Sequence, residues 1–177
     1  MLGRILIGLA AIFAIVIALG FVLPDKTHVE RSIVINAPQE EVFALVSDFN
    51  EWSAWSPWAS YDPDMKMTVT GSGVGQTMNW ESAKLGDGGQ EITELDAPRH
   101  VAMKLDFGDM GRAYAAFNLA PDENGVRVTW ALDSHSREGA ALYFQPLFTY
   151  MGFFMDAMVG KDYETGLANL KRVAESR

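Results

Sequence analysis

From Ile5 to Leu23 the chain runs nineteen residues without a charge or a strongly polar group, bounded by Arg4 on one side and by Pro24, Asp25 and Lys26 on the other. As a helix this stretch spans roughly 28 Å at ~1.5 Å per residue, close to the ~30 Å of a bilayer's hydrocarbon core. It has no polar face at any period, so a buried core helix fits it poorly. Two readings remain: an uncleaved membrane anchor over residues 1–24, or a signal peptide cut after Gly20 at the small pattern Ala18-Leu19-Gly20. The apolar run continues past that cut, which favours the anchor. Lys26 and Arg31 follow the run as Arg4 precedes it, so the positive-inside count does not decide orientation. A very short basic start followed at once by an apolar run resembles an export signal, and places the remainder on the periplasmic or extracellular side.

After a linker at residues 25–27 the period changes. His28 to Ile35 alternates apolar and polar residues and predicts a strand. Asn36-Ala37-Pro38 followed by Gln39, Glu40 and Glu41 predicts a helix start, with Asn as cap and acids in the first turn. Val42, Phe43, Leu45 and Val46 share one face of that helix, which should run to Asp48 or Asn50. A stretch rich in Trp and Ser then precedes six predicted strands: Met65–Thr70, Gly75–Glu81, Gly89–Asp96, His100–Phe107, Arg112–Ala120 and Gly125–Asp133. They are separated by Gly-, Pro- and Asn-rich turns, so an antiparallel, curled meander is expected. Beyond Pro146, apolar residues recur at steps of three and four as far as Val173. This predicts a long C-terminal helix with a bend at Gly152 or Gly160.

Alternation puts one set of apolar residues on the inner face of the meander. Met78 and Trp80, Val101, Met103, Leu105 and Phe107, Ala115, Phe117 and Leu119, and Val126, Val128, Trp130 and Leu132 all share it. Phe154, Met155, Met158 and Val159 of the last helix, with Phe148 and Met151 before it, face them. Nine methionines in the chain suit a pocket that adapts its shape. Any one of these residues can equally fill a core; pocket lining is a property of the set. Trp52, Trp55 and Trp58, three apart, either form an aromatic wall at a cavity mouth or plug their loop against the core, with Ser53 and Ser56 as possible partners for the indole N–H groups.

Composition narrows the chemistry. The chain is 49% hydrophobic and carries a net charge of −9. Residues 25–177 keep all 23 acids and lose only Arg4, for a net charge of −10. Such a surface repels phosphate backbones, so no nucleic-acid partner is expected. With no cysteine, disulfides, thiolate nucleophiles and Cys-ligated metals are excluded. His28, His100 and His135 stand in no metal-ligand spacing, so no metal and no cofactor are expected. Gly71, Gly73 and Gly75 suggest a nucleotide loop, but Gln76 stands where the last glycine belongs and a strand follows. Acid–base candidates are Glu81, Glu91, Asp106, Asp133, His135, Tyr114 and Tyr143; strand parity turns Glu81 and Asp106 toward solvent and leaves His135 and Tyr143 as the better two. None of them is assigned a catalytic role.

The string ERSIVINAPQEEVFALVSDFNEWSAWSPW resembles the opening of the START-like or Bet v 1-like helix-grip superfamily, in particular its SRPBCC polyketide cyclase/dehydrase branch. NGVRVTWALD resembles the penultimate block of that branch and GKDYETGLANLKRVAE its closing helix, so the likeness covers most of residues 28–175. The resemblance implies an α+β fold over 28–177: a curved antiparallel sheet wrapped around a long C-terminal helix, with an apolar cavity between them. It implies a lipid, polyketide or other small hydrophobic ligand as partner. The expected contact residues are Trp52, Trp55, Trp58, Met78, Trp80, Met103, Leu105, Phe117, Trp130, Tyr143, Phe154, Met155 and Met158. The family holds binders, transfer proteins and enzymes, so three functions follow as expectations. The first is a membrane-tethered binding module, the second a cyclase, aromatase or dehydratase, and the third a non-catalytic stress or interaction module.

Overall fold

A computed structural model describes residues 2–135 and 137–177. The apolar N-terminal segment is helix α1, Leu2–Gly20, followed by a turn at Phe21 and Val22. Strand β1, Lys26–Ile35, starts two residues before the predicted His28, because Lys26 and Thr27 already pair with His135 and Ser134. Helix α2, Gln39–Val46, begins after Pro38. Asn36 does not cap it: no side chain does, and the Asn36 N–H donates instead to Glu175 Oε1 at 2.8 Å. Helix α2 also ends short of the predicted Asp48. That carboxylate accepts the Asn50 N–H at 2.9 Å and starts a 3-10 turn, Phe49–Ala54, which the short helix α3, Trp58–Tyr61, follows.

The meander has the predicted strands: β2 Lys66–Thr70, β3 Thr77–Glu81, β4 Gly88–Asp96, β5 His100–Asp106, β6 Arg112–Asp122 and β7 Gly125–His135. All pairs are antiparallel, in the order β1-β7-β6-β5-β4-β3-β2. The glycine run 71–75 is the loop between β2 and β3, and Gln76 explains its sequence better than any phosphate would. Its buried amide accepts the Phe49 N–H at 2.9 Å and donates to Asp48 Oδ1 at 2.8 Å, fastening this loop to the end of α2.

The C-terminal helix is broken where Gly152 predicts, into α4, Gln145–Gly152, and α5, Met155–Ala174. Gly160 stays helical, and a Cβ there would lie 2.2 Å from the Arg31 guanidinium. Arg31 reaches from β1 to Asp156 at 2.8 Å and to Glu164 at 2.7 Å, and Lys171 donates to the Val34 carbonyl at 2.8 Å, so α5 is held along β1. At Gly166 a Cβ would meet Trp130 at 2.8 Å, and its absence lets α5 settle on the sheet. Tyr163 then stacks on Trp130 with ring centroids 3.7 Å apart, and Phe117 also stacks on Trp130, at 4.8 Å. Phe49, Trp52 and Trp55 complete this aromatic core. The indole groups of Trp52 and Trp55 donate to the carbonyls of Val46 and Leu45, at 3.2 and 3.1 Å, rather than to Ser53 or Ser56. The end of a helix has carbonyls without intrahelical partners, and these two are satisfied from the following turn.

Candidate functional site

Between the sheet, the Trp52–Met67 segment and the α4–α5 junction lies a cavity of about 400 Å³. The strand registers generate its sheet wall as one row across the sheet. Val69 faces Met78, Met78 faces Gln90, Gln90 faces Leu105, Leu105 faces Ala113, Ala113 faces Ser134, and Ser134 faces Thr27. From Met78 onward every member of the row lines the cavity. Trp80 and Phe107 close one side, edge to face at 5.9 Å, and Phe148, Met151 and Met155 close the opposite side.

Of the thirteen expected contact residues, six lie on this wall: Trp52, Trp58, Met78, Trp80, Leu105 and Met155. Trp55, Met103, Phe117 and Trp130 do not line it; they are almost completely buried in the core beneath, where α5 and the 3-10 turn cover them. Tyr143, Phe154 and Met158 face outward at 72%, 65% and 55% exposure: Tyr143 stands in the turn before α4, and Phe154 and Met158 follow the break after Gly152 that sets the direction of α5. The aromatic triad is therefore split: Trp55 plugs the core, while Trp52 and Trp58 also reach the cavity. Sequence reasoning passed over Gln90, Ala113, Ser134 and Thr27. Alternation gives Gln90 and Ala113 inward parity on their predicted strands, whereas Thr27 falls in the predicted linker and Ser134 one residue past its predicted strand, and only the pairing of β1 with β7 brings those two in.

The acid–base candidates are mostly elsewhere. Glu81 and Glu91 are exposed. Asp106 is paired with Arg112 at 3.0 Å, and that guanidinium, with the Gly108 N–H, holds its carboxyl below the usual range. Asp133 is exposed and bonded to His28 Nδ1 at 2.8 Å, which pushes the imidazole up. The Tyr114 hydroxyl donates to Glu138 at 2.6 Å, raising the phenol, on the outer side of the sheet. Only His135 of these candidates lines the cavity, together with Arg112 and Asp162, whose carboxylate accepts from the Tyr61 hydroxyl at 2.7 Å. Among the described residues, no hydrogen bond or ion pair joins two ionisable side chains of the wall.

Comparison with known proteins agrees with this architecture. The family described as "Polyketide cyclase / dehydrase and lipid transport" matches residues 26–175. The chain belongs to that family. No protein of curated function matches it. Protein CV1439 from Chromobacterium violaceum is 20% identical, with 84% of this chain and 98% of that one covered and a TM-score of 0.55. Protein BH1534 from Bacillus halodurans is 18% identical over 86% and 98%, with a TM-score of 0.57. The di-domain ARO/CYC StfQ of the steffimycin biosynthetic pathway is 8% identical over 86% of this chain and 51% of its own, with a TM-score of 0.64. At these identities the likeness is one of fold. It corroborates the helix-grip, START-like architecture of this SRPBCC-type family member.

Proposed function

We propose that the domain holds a small hydrophobic molecule or lipid in this cavity while α1 anchors it to a bilayer. The observation that carries the reading is the double role of α4. On one side Phe148 and Met151 line the cavity; on another, Pro146 meets Gly20 and the Tyr150 hydroxyl donates to the Val16 carbonyl of α1 at 2.6 Å. Residues 139–155 contain no charge, and Leu142, Leu147 and Phe153 among them are exposed. An uncharged, exposed apolar surface beside a helix of bilayer length suits the membrane interface, next to a store of apolar ligand. The cavity volume falls within the ~300–1,000 Å³ of small-molecule sites, and its wall is mainly apolar, as such sites are.

A cyclase or dehydratase needs an acid and a base in reach of one another and of the substrate, and the described wall offers no such joined pair. Binding is therefore preferred to catalysis. Native mass spectrometry of the full chain released from membranes should show an apolar adduct of defined mass. A chain without adduct that also takes up no fluorescent apolar probe refutes the proposal.

A further inference from the structure

Helix α4 stands beside the last turns of α1 rather than beyond their end. A Cβ at Gly20 would lie 2.6 Å from Pro146, while Tyr150, four residues further along α4, donates to the carbonyl of Val16, four residues back along α1. The two helices therefore run in opposite directions over this contact, which covers roughly 6 Å of α1 at ~1.5 Å per residue. If α4 stood wholly in water, α1 from Val16 onward would stand there with it. Only Ile5–Ile15 of the apolar run would remain, roughly 16 Å of helix to cross a hydrocarbon core of ~30 Å. An α1 that spans the bilayer thus draws α4 into the leaflet.

The chemistry of α4 suits that position. Its polar side chains, Gln145, Thr149 and Tyr150, donate to the carbonyls of Ala140, Gln145 and Val16 at 3.1, 3.0 and 2.6 Å, so none of the three depends on water. Leu147 and Phe153 stand three residues before and three after Tyr150, hence on the same face of the helix. They are 53% and 62% exposed and do not line the cavity. The charges nearest the uncharged run 139–155 are held by the domain: Glu138 accepts from Tyr114 at 2.6 Å and Asp156 from Arg31 at 2.8 Å. Arg137 donates to the Leu23 carbonyl at 2.8 Å, which sets a cation where the apolar run ends, the level at which long basic side chains meet headgroups.

Resting on the anchoring of α1 proposed above, we infer that α4 is a second membrane-contacting element, whose Leu147 and Phe153 lie among the acyl chains of the leaflet around α1. Its depth, about 6 Å past the end of α1, falls within the ~5–10 Å to which interfacial helices bury an apolar face.

The chain has no cysteine, so a single introduced one carries a label at one chosen site. The test uses Leu147→Cys and Phe153→Cys, with Ile12→Cys in α1 and Val74→Cys in the β2–β3 loop as references, all at exposed positions. Each variant of the full chain, labelled with nitrobenzoxadiazole, is reconstituted into phosphatidylcholine vesicles with and without a nitroxide on the acyl chains. Nitroxide lipid should cause a loss of fluorescence at Ile12, Leu147 and Phe153, with emission shifted to the blue, and neither change at Val74. Quenching at Ile12 but not at Leu147 or Phe153 overturns the inference and leaves the anchor intact. Blue-shifted emission at Leu147 and Phe153 without quenching means that a second copy of the chain covers this face, and overturns it too. Quenching at Val74 equal to that at Leu147 overturns the choice of face. No quenching at Ile12 removes the anchoring of α1 itself, and the inference with it.

Discussion

Replacing Ala113 with leucine places three more carbons in the middle of the cavity floor, between Leu105 and Ser134. If the space is open, as its 400 Å³ volume requires, the added carbons are buried without displacing protein. At ~0.8 kcal/mol per buried carbon the substitution then stabilises the fold by up to about 2.4 kcal/mol. In a close-packed core the same insertion would force neighbours from their rotamers and destabilise by about 1–3 kcal/mol. The sign of the change therefore reports whether the cavity is real. Urea midpoints of the full chain, followed by Trp fluorescence, give the sign, and probe titration gives the second reading. The expected result is a midpoint unchanged or raised together with strongly reduced probe uptake. A fall in stability of more than about 1 kcal/mol, or uptake equal to wild type, refutes the reasoning.

Gln76→Leu should destabilise the fold by about 2–4 kcal/mol, because it strands the buried Phe49 N–H and removes a donor from Asp48; a urea midpoint that shifts by less than about 1 kcal/mol would contradict the role given to that amide. Acid should unfold the domain through its bonded carboxylates. Asp62, buried and accepting the Ser82 hydroxyl at 2.7 Å, is held below its ordinary value, and Asp48, Asp106 and Asp156 are lowered by their own donors. A carboxyl depressed by folding contributes fully above its unfolded value and loses that contribution as pH falls through the folded one. Melting temperature should thus be flat near neutrality and fall below about pH 4, with Asp62→Asn lowering the plateau and flattening the acid limb. An acid limb as steep as wild type in that variant would exclude Asp62 from the effect.

The elements were legible wherever local chemistry alone decides them. Turn residues and period two located all six meander strands, and the same alternation named the inward faces of β3, β5, β6 and β7. The site was legible only as a set. Spacing cannot distinguish Trp55, sealed under α5, from Trp58, which reaches the cavity, because that depends on how closely α5 approaches the sheet at Gly166. A single continuous helix from Pro146 onward turns Phe154 and Met158 inward, and the break after Gly152 resets that wheel. Asn36 has the chemistry of a cap, but α2 begins at Gln39 with Pro38 in the cap position, two residues beyond it.

The connection between α1 and the domain is more than a short covalent link. Arg137 donates to the carbonyls of Phe21 and Leu23 and pairs with Asp25 at 3.3 Å, while Tyr150 holds Val16 one turn earlier. These contacts remove rotational freedom as well as distance. If α1 stands in a bilayer, as proposed, the α4 side keeps a constant heading toward that bilayer, and the sheet edge at β2 keeps its own. Under that reading, exchange of a ligand becomes a question of a fixed geometry rather than of a searching motion: the leaflet around α1 would lie within reach throughout, whereas any second membrane or protein would have to travel to the site.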